Sequence, residues 1–172
     1  MSTISQRSSD DLQKPKNFLE FFAVFVSTFC YSGYFRYAPG TLASLITAVL
    51  WVPFVFSALP TSYRLLATAV LLLIGVVASH LSLKFFDSDD PGSIVIDEVM
   101  GQSLALIWAA PSWMSVFLGF VLFRLFDIFK PWPIRVLDRR IKGAWGVMLD
   151  DLAAGVFAAV TLLLIHQFFM KG

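Results

Sequence analysis

The chain has 172 residues, of which 58% are hydrophobic and 15% are charged, and its mean hydropathy is +0.75. A soluble domain is about 45–50% apolar and about 25% charged, so this composition predicts an integral membrane protein of a single domain. The net charge of +1 argues against a nucleic acid as partner, and the single cysteine, Cys30, excludes an internal disulfide.

The chain begins with a polar segment and continues into an aromatic one. Residues 1–17 are rich in Ser, Gln, Lys and Asp, so we expect a disordered cytoplasmic tail followed by one membrane-embedded domain at residues 18–172. Residues 17–35 are rich in aromatic side chains and include Glu20. This segment is expected either to cross the membrane or to be re-entrant or interfacial.

Three long apolar runs lie at residues 41–59, 65–83 and 152–170. Each has the length that an α-helix needs to cross about 30 Å of hydrocarbon. Two further segments, 94–110 and 113–129, are ambiguous because they contain charged residues. The pattern predicts an all-α polytopic helical bundle of about four to six membrane segments, with five favoured.

The distribution of basic residues favours five spans. Lys and Arg cluster in the tail and again in the loop 130–146, and the positive-inside rule places both clusters in the cytoplasm. Five spans with an interfacial or re-entrant segment at 18–35 satisfy this rule, whereas six spans starting inside would put the second cluster outside. The five-span arrangement also places the acidic residues of the chain's apolar segments at the cytoplasmic level.

Five carboxylates lie near the ends of apolar segments: Asp97, Glu98, Asp127, Asp150 and Asp151. An acid costs about 2.5–3.5 kcal/mol at the centre of a membrane helix and less near an end. Acids on three helices therefore indicate convergence on one polar site, and all five are candidate catalytic residues and ligands of a hard divalent cation. The structural alternative is that they lie at solvated helix N-termini, with Ser93 as the N-cap before Asp97.

Basic residues accompany these acids. Arg124 and Lys130 each lie three positions from Asp127 and so share a helix face with it. The following loop adds Arg135 and Arg139. We interpret these four bases as candidate phosphate-binding residues beside a metal site. The alternatives are a structural ion pair near the interface, and a basic loop that only sets topology and attracts anionic lipid.

Two other residues are candidates for the same site. His80 lies in an apolar segment, with Lys84 four positions later, and is either a catalytic acid or base or a hydrogen-bonded structural residue. Thr41 follows a Pro-Gly pair at the start of an apolar run. That position is either a helix N-terminus that favours a bound anion or an ordinary helix start.

Cys30 and Arg36 have the spacing of the phosphate loop in cysteine phosphatases. That loop needs a preceding strand and small residues whose amides surround the phosphate. The intervening residues here are Tyr-Ser-Gly-Tyr-Phe, and an aromatic helix is predicted before them. A cysteine phosphatase is therefore the less favoured interpretation.

Four stretches, at residues 38–44, 92–98, 123–135 and 146–155, resemble bacterial phosphatidylglycerophosphatase A. The string Lys-Pro-Trp-Pro-Ile-Arg within the third stretch is long and unusual. The resemblance implies an enzyme that removes the terminal phosphate of phosphatidylglycerophosphate, giving phosphatidylglycerol and inorganic phosphate in phospholipid biosynthesis. It also implies Mg²⁺ as cofactor, a phospholipid substrate, and an active site on the cytoplasmic face of the bacterial inner membrane.

The residues and the resemblance together suggest roles for the candidate side chains. The five acids would form the Mg²⁺ site, and the four bases at 124, 130, 135 and 139 would hold the phosphate. His80 would protonate the leaving alkoxide, and Thr41 would help to shape the pocket. Attack by water and attack by an aspartate, through a phosphoaspartate, both stay open.

Three other functions are consistent with parts of the pattern. A broader lipid phosphatase would also accept phosphatidic or lysophosphatidic acid. A small cation-coupled transporter would use intramembrane acids, but its route would need polar groups at both membrane levels. A structural subunit would not need five acids and several bases at one depth.

Overall fold

The computed structural model describes residues 14–86, 91–140 and 144–169, without the side chains of residues 138–140, 144–147 and 169. Every regular element in these ranges is helical. The seven α-helices are α1 Phe18–Ser27, α2 Pro39–Phe56, α3 Thr61–Ser82, α4 Ile96–Ala105, α5 Trp113–Phe129, α6 Ile134–Arg140 and α7 Ala144–Phe169. The all-α membrane fold predicted from the sequence is confirmed, while most of the predicted tail lies outside the described residues.

Three helices are long and apolar enough to cross a bilayer: Pro39–Phe56, Thr61–Phe85 and Met148–Phe168. The second carries exposed apolar side chains along its length, among them Leu66 and Leu73, as expected for a surface that faces lipid. The other helices are shorter, with ten residues in α1, ten in α4 and 17 in α5. The count of five spans therefore stays a prediction.

Helix α4 is the centre of the bundle although it is too short to cross a membrane by itself. Eight of its ten residues are buried, and α2, α3, α5 and α7 pack around it. Its closest approach is to α7, where a Cβ added at Gly155 would lie 2.5 Å from the carbonyl oxygen of Gly101. Small residues allow this backbone contact, which is the usual way that helices associate in hydrocarbon.

Arg64 connects the C-terminal ends of α2 and α4. Its buried guanidinium donates to the carbonyl oxygens of Phe54 and Val55 at the end of α2, at 3.1 Å each. It also donates to Ile107 and Ala109 after α4, at 3.1 and 3.0 Å. Helix ends expose carbonyl groups that apolar surroundings cannot satisfy, so one arginine here stabilises two chain segments.

The first described helix, α1, is tied to the bundle at both ends. The ammonium group of Lys84 lies 2.6 Å from the Glu20 carboxylate near the start of α1. At the other end, the amide of Val95 donates to the carbonyl oxygen of Ser27 at 3.0 Å. The second contact links the end of α1 to the start of α4.

Two local expectations from the sequence were wrong. Helix α4 begins at Ile96 with Val95 as its N-cap, and no side chain caps it, so Ser93 is not the N-cap. The loop after residue 130 contains the helix α6. Apolar burial explains this helix, because the side chain of Ile134 is fully buried against Phe123 and its neighbours.

Candidate active site

Three of the five predicted acids converge at the start of α4. Asp97 and Glu98 lie in its first turn, and Asp151 lies on α7. Each offers a carboxylate oxygen, and these oxygens all lie within 4.8 Å of one another. Asp97 and Asp151 are buried and Glu98 is partly buried. These three residues are called the acid cluster below.

The packing of α4 against α7 brings the cluster together. A Cβ at Gly101 would lie 2.7 Å from the carbonyl oxygen of Asp151, so only a glycine lets α7 approach this closely. Within α4, the carboxylate of Asp97 accepts a hydrogen bond of 3.1 Å from the amide of Glu98. The first turn of α4 thus holds one acid while α7 supplies another.

Helix α2 contributes its N-terminus to the same place. Gly40 lies in the first turn of α2, and a Cβ there would overlap the carboxylate of Glu98. A helix N-terminus carries unsatisfied amide groups and a partial positive charge, which stabilise an adjacent anion. Thr41, a predicted phosphate-binding residue, is the next residue of this turn and is partly buried.

The electrostatics of the cluster favour a bound cation. Asp97 and Asp151 are both almost fully buried, with exposed fractions of 4% and 5%. Oε2 of Glu98 is also buried, and it has no hydrogen-bond partner among the described residues. Buried carboxylates need a positive partner to stay ionised, and a divalent cation with oxygen ligands is such a partner.

Asp127 lies beside the cluster and is engaged by a base. The guanidinium of Arg124 lies 2.6 Å from the Asp127 carboxylate, and the charge of Asp127 acts on Glu98. The same guanidinium lies 3.5 Å from the hydroxyl of Ser44 on α2. Arg124 therefore connects α5 to α2 next to the acids.

Asp150 is held by the second predicted base. Lys130, at the C-terminal end of α5, forms an ion pair with the Asp150 carboxylate on α7. Among the described residues, the carboxylates that lie close enough together to bind one metal ion are those of the acid cluster. Asp127 and Asp150 are not part of this group. The sequence predicted one metal site made of all five acids. In the structure three of them cluster, while Asp127, which also contacts Asp151, and Asp150 form ion pairs with bases.

The remaining predicted residues lie farther out. Arg135 is exposed on α6 and donates to the carbonyl oxygen of Phe129 at 3.4 Å, while the side chain of Arg139 lies outside the described residues. His80 is exposed on α3, and no described hydrogen bond or ion pair links it to the acids. The geometry therefore does not bring His80 into the site.

The cysteine-phosphatase alternative gains no support. Cys30 is exposed, and the residues after it form a 3-10 turn at Ser32–Tyr34. The guanidinium of Arg36 lies over the ring of Tyr37, at 5.7 Å from its centre. No strand precedes this segment in the described part of the chain, so the phosphate loop of that enzyme class is not formed.

One buried polar residue was missed by the sequence analysis. Gln102, on α4, is fully buried, and neither polar atom of its carboxamide has a hydrogen-bond partner in the part of the chain that the structure describes. The available signal was its position four residues after Glu98, which places both side chains on one helix face.

A buried group of carboxylates flanked by an arginine and a lysine has the chemistry to bind a divalent cation and a phosphate group. The chain matches the family PgpA, phosphatidylglycerophosphatase A, over residues 25–166. It belongs to this family and is a phosphatase.

Individual relatives agree with the family match. Phosphatidylglycerophosphatase A of Escherichia coli is 40% identical over 143 residues, which is 82% of this chain and 81% of that protein. The protein of the same name from Haemophilus influenzae is 37% identical over 141 residues, or 81% and 85% of the two chains. A Bacteroides thetaiotaomicron protein named "Putative phosphatidylinositol-3-phosphatase" is 34% identical over 149 residues, or 83% and 92%. No solved structure matches the chain.

Proposed function

We propose that this protein hydrolyses the terminal phosphate of phosphatidylglycerophosphate to give phosphatidylglycerol and inorganic phosphate, with Mg²⁺, at the cytoplasmic face of a bacterial inner membrane. The observation that carries the proposal is the acid cluster beside the Arg124–Asp127 and Lys130–Asp150 ion pairs. The names of two bacterial relatives support the substrate. The concentration of basic residues at 130–142 supports the cytoplasmic face.

The residues fit a magnesium ion. Mg²⁺ binds carboxylate oxygens and keeps part of its water shell, so three carboxylates on two helices form a suitable partial ligand set. Asp97 and Asp151 are buried, and a bound cation would compensate the charge of their carboxylates there. When bound, Mg²⁺ supplies charge neutralisation at the phosphoryl oxygens and lowers the pKa of a coordinated water.

The two bases supply the positive charge that a phosphate monoester needs. The transition state of phosphoryl transfer spreads negative charge over the equatorial oxygens, so cations fixed in advance stabilise it. Asp127 and Asp150 hold Arg124 and Lys130 in place through their ion pairs. We expect these two acids to position the bases, while the cluster binds the metal.

Hydrolysis breaks the bond between phosphorus and the glycerol oxygen and forms a new one to the attacking oxygen. A carboxylate of the cluster either accepts the proton of an attacking water or attacks phosphorus directly, and water then releases phosphate from the resulting phosphoaspartate. The leaving glycerol oxygen takes up a proton in either case. Trapping of a ³²P-labelled acyl phosphate on the protein, by acid quench during turnover of substrate labelled in its terminal phosphate, would identify the second route.

A broader phosphatase acting on several lipid phosphates is the second candidate. The name of the Bacteroides relative, with 34% identity to this chain, favours it because that name specifies a different headgroup. The acid cluster and its bases recognise a phosphate monoester and do not by themselves specify the alcohol. Selectivity must then come from residues around the cluster.

Substrate competition tests the proposal. The purified protein in detergent is given phosphatidylglycerophosphate, phosphatidic acid, lysophosphatidic acid or phosphatidylinositol 3-phosphate, each with Mg²⁺, and phosphate release is measured. A kcat/KM for phosphatidylglycerophosphate at least about tenfold above the others, a difference of about 1.4 kcal/mol, supports the specific enzyme. Equal values would support the broader phosphatase, and no release from any of the four lipids would contradict both.

A further inference from the structure

Gln102 is a buried polar side chain that the proposed chemistry has not used. Its exposed fraction is 0%, and no described residue forms a hydrogen bond with its Nε2 or Oε1. Buried amide groups are almost always hydrogen-bonded, either to the protein or to an ordered water. An unpartnered carboxamide at the centre of the bundle therefore indicates a molecule bound beside it.

The position of Gln102 on α4 identifies the place. Glu98, Gln102 and Leu106 follow one another at intervals of four residues and so form one stripe along the helix. Glu98 packs against Gly40 on α2, while Leu106 packs against Gly119 on α5 and shares a cluster with Ala48 on α2. Gln102 thus lies on the side of α4 that faces α2 and α5, one turn below the acid cluster.

The nearby hydroxyl groups of α2 are already engaged. Ser44 donates to the carbonyl oxygen of Gly40 and Thr47 donates to that of Ala43, at 2.8 Å each. The other buried atom without a partner on this stripe is Oε2 of Glu98. Two polar groups one turn apart, buried and not bonded to each other, are the usual surroundings of an internal water.

We propose that Gln102 is a positioning residue whose carboxamide holds a water molecule that bridges it to the carboxylate of Glu98. The Nε2 group donates to the water, and the water donates to Oε2. This bridge fixes the orientation of Glu98 and hence the geometry of the acid cluster, as outer hydrogen bonds do for metal-binding carboxylates. The role in catalysis rests on the proposed function, because it assumes that the cluster binds Mg²⁺.

The substitution Gln102→Met tests this role, because methionine has a similar size and cannot hold the water. We measure Mg²⁺ affinity by calorimetry on the full chain in detergent, the thermal unfolding temperature without metal, and kcat and KM for phosphatidylglycerophosphate. The expected result is a loss of about tenfold or more in Mg²⁺ affinity and a lower kcat at saturating Mg²⁺. KM for the lipid and the unfolding temperature without metal should change little.

A matched control comes from the next residue of α4. Ser103 is fully buried and donates to the carbonyl oxygen of Val99 at 2.7 Å, so its polar group is satisfied within the helix. Ser103→Ala should leave Mg²⁺ affinity and kcat unchanged. An equal loss of affinity in Ser103→Ala and Gln102→Met would show a general effect of altering α4 and would overturn the inference.

Further outcomes separate this inference from the proposed function. Gln102→Met could instead retain the wild-type Mg²⁺ affinity and kcat and have a raised unfolding temperature. This result would show that the carboxamide is an unsatisfied group without a role in the site, and it would overturn the inference. If both Gln102→Met and Gln102→Leu fail to fold, the amide serves the fold instead, and the inference fails. A wild-type protein that releases phosphate but binds no Mg²⁺ would overturn the inference and the metal assignment together, while the phosphatase assignment would stand.

Discussion

Replacing Gly40 by alanine is expected to damage catalysis without damaging the fold. The added Cβ would lie 2.7 Å from Cδ of Glu98 and 3.2 Å from its Cγ. Carbon atoms pack at about 3.5–4.0 Å, and Oε1 of Glu98 is even closer to the added Cβ than Cδ is, so the carboxylate would have to move by more than about 1 Å. A displacement of this size in an active site can cost about 100-fold in rate, or about 2.7 kcal/mol of transition-state stabilisation.

The folded state should tolerate the same change. The atoms that the Cβ meets belong to a flexible side chain, and alanine is a better helix former than glycine by about 1 kcal/mol. We therefore expect kcat/KM for phosphatidylglycerophosphate to fall by about two orders of magnitude while the thermal unfolding temperature stays equal or rises.

A glycine outside the site provides the control. A Cβ at Gly92 would meet no atom within 4 Å, so Gly92→Ala should retain full activity. Phosphate release is measured for both variants in the same detergent, together with thermal unfolding. Full activity in Gly40→Ala would refute the reasoning, because it would mean that Glu98 is not needed where the structure places it. Unfolding of Gly40→Ala would refute the claim that the side chain can yield.

Three further predictions concern other parts of the molecule. Arg64→Met should lower the free energy of unfolding by about 3 kcal/mol or more, because it leaves four carbonyl groups without their donor. Denaturation in mixed micelles measures this free energy. The activity per folded molecule should be retained. The pKa of Glu20 is lowered mainly by a hydrogen bond from the backbone amide of Lys16 and secondly by one from the side chain of Lys84. The stability that the ionised Glu20 contributes is therefore present above the usual pKa of a glutamate, and it is lost as the pH falls through the lowered pKa. The unfolding temperatures of wild type and Glu20→Gln should accordingly differ near neutral pH and converge in acid, and a constant difference would contradict this assignment. His80→Gln should keep most of the wild-type kcat, and a loss of about 100-fold or more would restore the general-acid role that the sequence suggested.

The sequence predicted the fold class well because hydropathy is a local property. The lengths of the runs at 41–59, 65–83 and 152–170 are sufficient to indicate membrane helices, and each run lies largely within a helix of the structure. Local patterns also identified the acids, since a carboxylate in an apolar segment is costly wherever it lies. What they could not indicate was which acids meet.

The grouping of the acids depends on contacts between helices. Asp151 reaches the first turn of α4 because Gly101 and Gly155 let two backbones touch, and neither glycine has a recognisable pattern around it. Lys84 lies four positions after His80 in the sequence, but in the structure it pairs with Glu20 on a helix distant in the chain. Glu20 could not be identified as its partner from the sequence, because ion pairs between helices follow from packing.

Arg64 shows the same limit at the other end of the bundle. Near the start of a long apolar helix, an arginine is ordinarily interpreted as an interfacial residue whose charge reaches water. The structure instead buries it among four carbonyl oxygens from two segments. The acceptors at Ile107 and Ala109 lie 43 and 45 positions away from Arg64 in the chain, so no local sequence pattern could indicate them.

The most direct test of the account is phosphate release from phosphatidylglycerophosphate by the wild-type protein and by Asp97→Asn and Asp151→Asn, each with Mg²⁺ and with EDTA. We expect the wild type to release phosphate with Mg²⁺ and to release none with EDTA. Both variants should lose about 1,000-fold or more of this activity. Their unfolding temperatures without metal should equal or exceed that of the wild type. Release that survives EDTA, or full activity in both folded variants, would contradict the claim that the acid cluster performs the reaction.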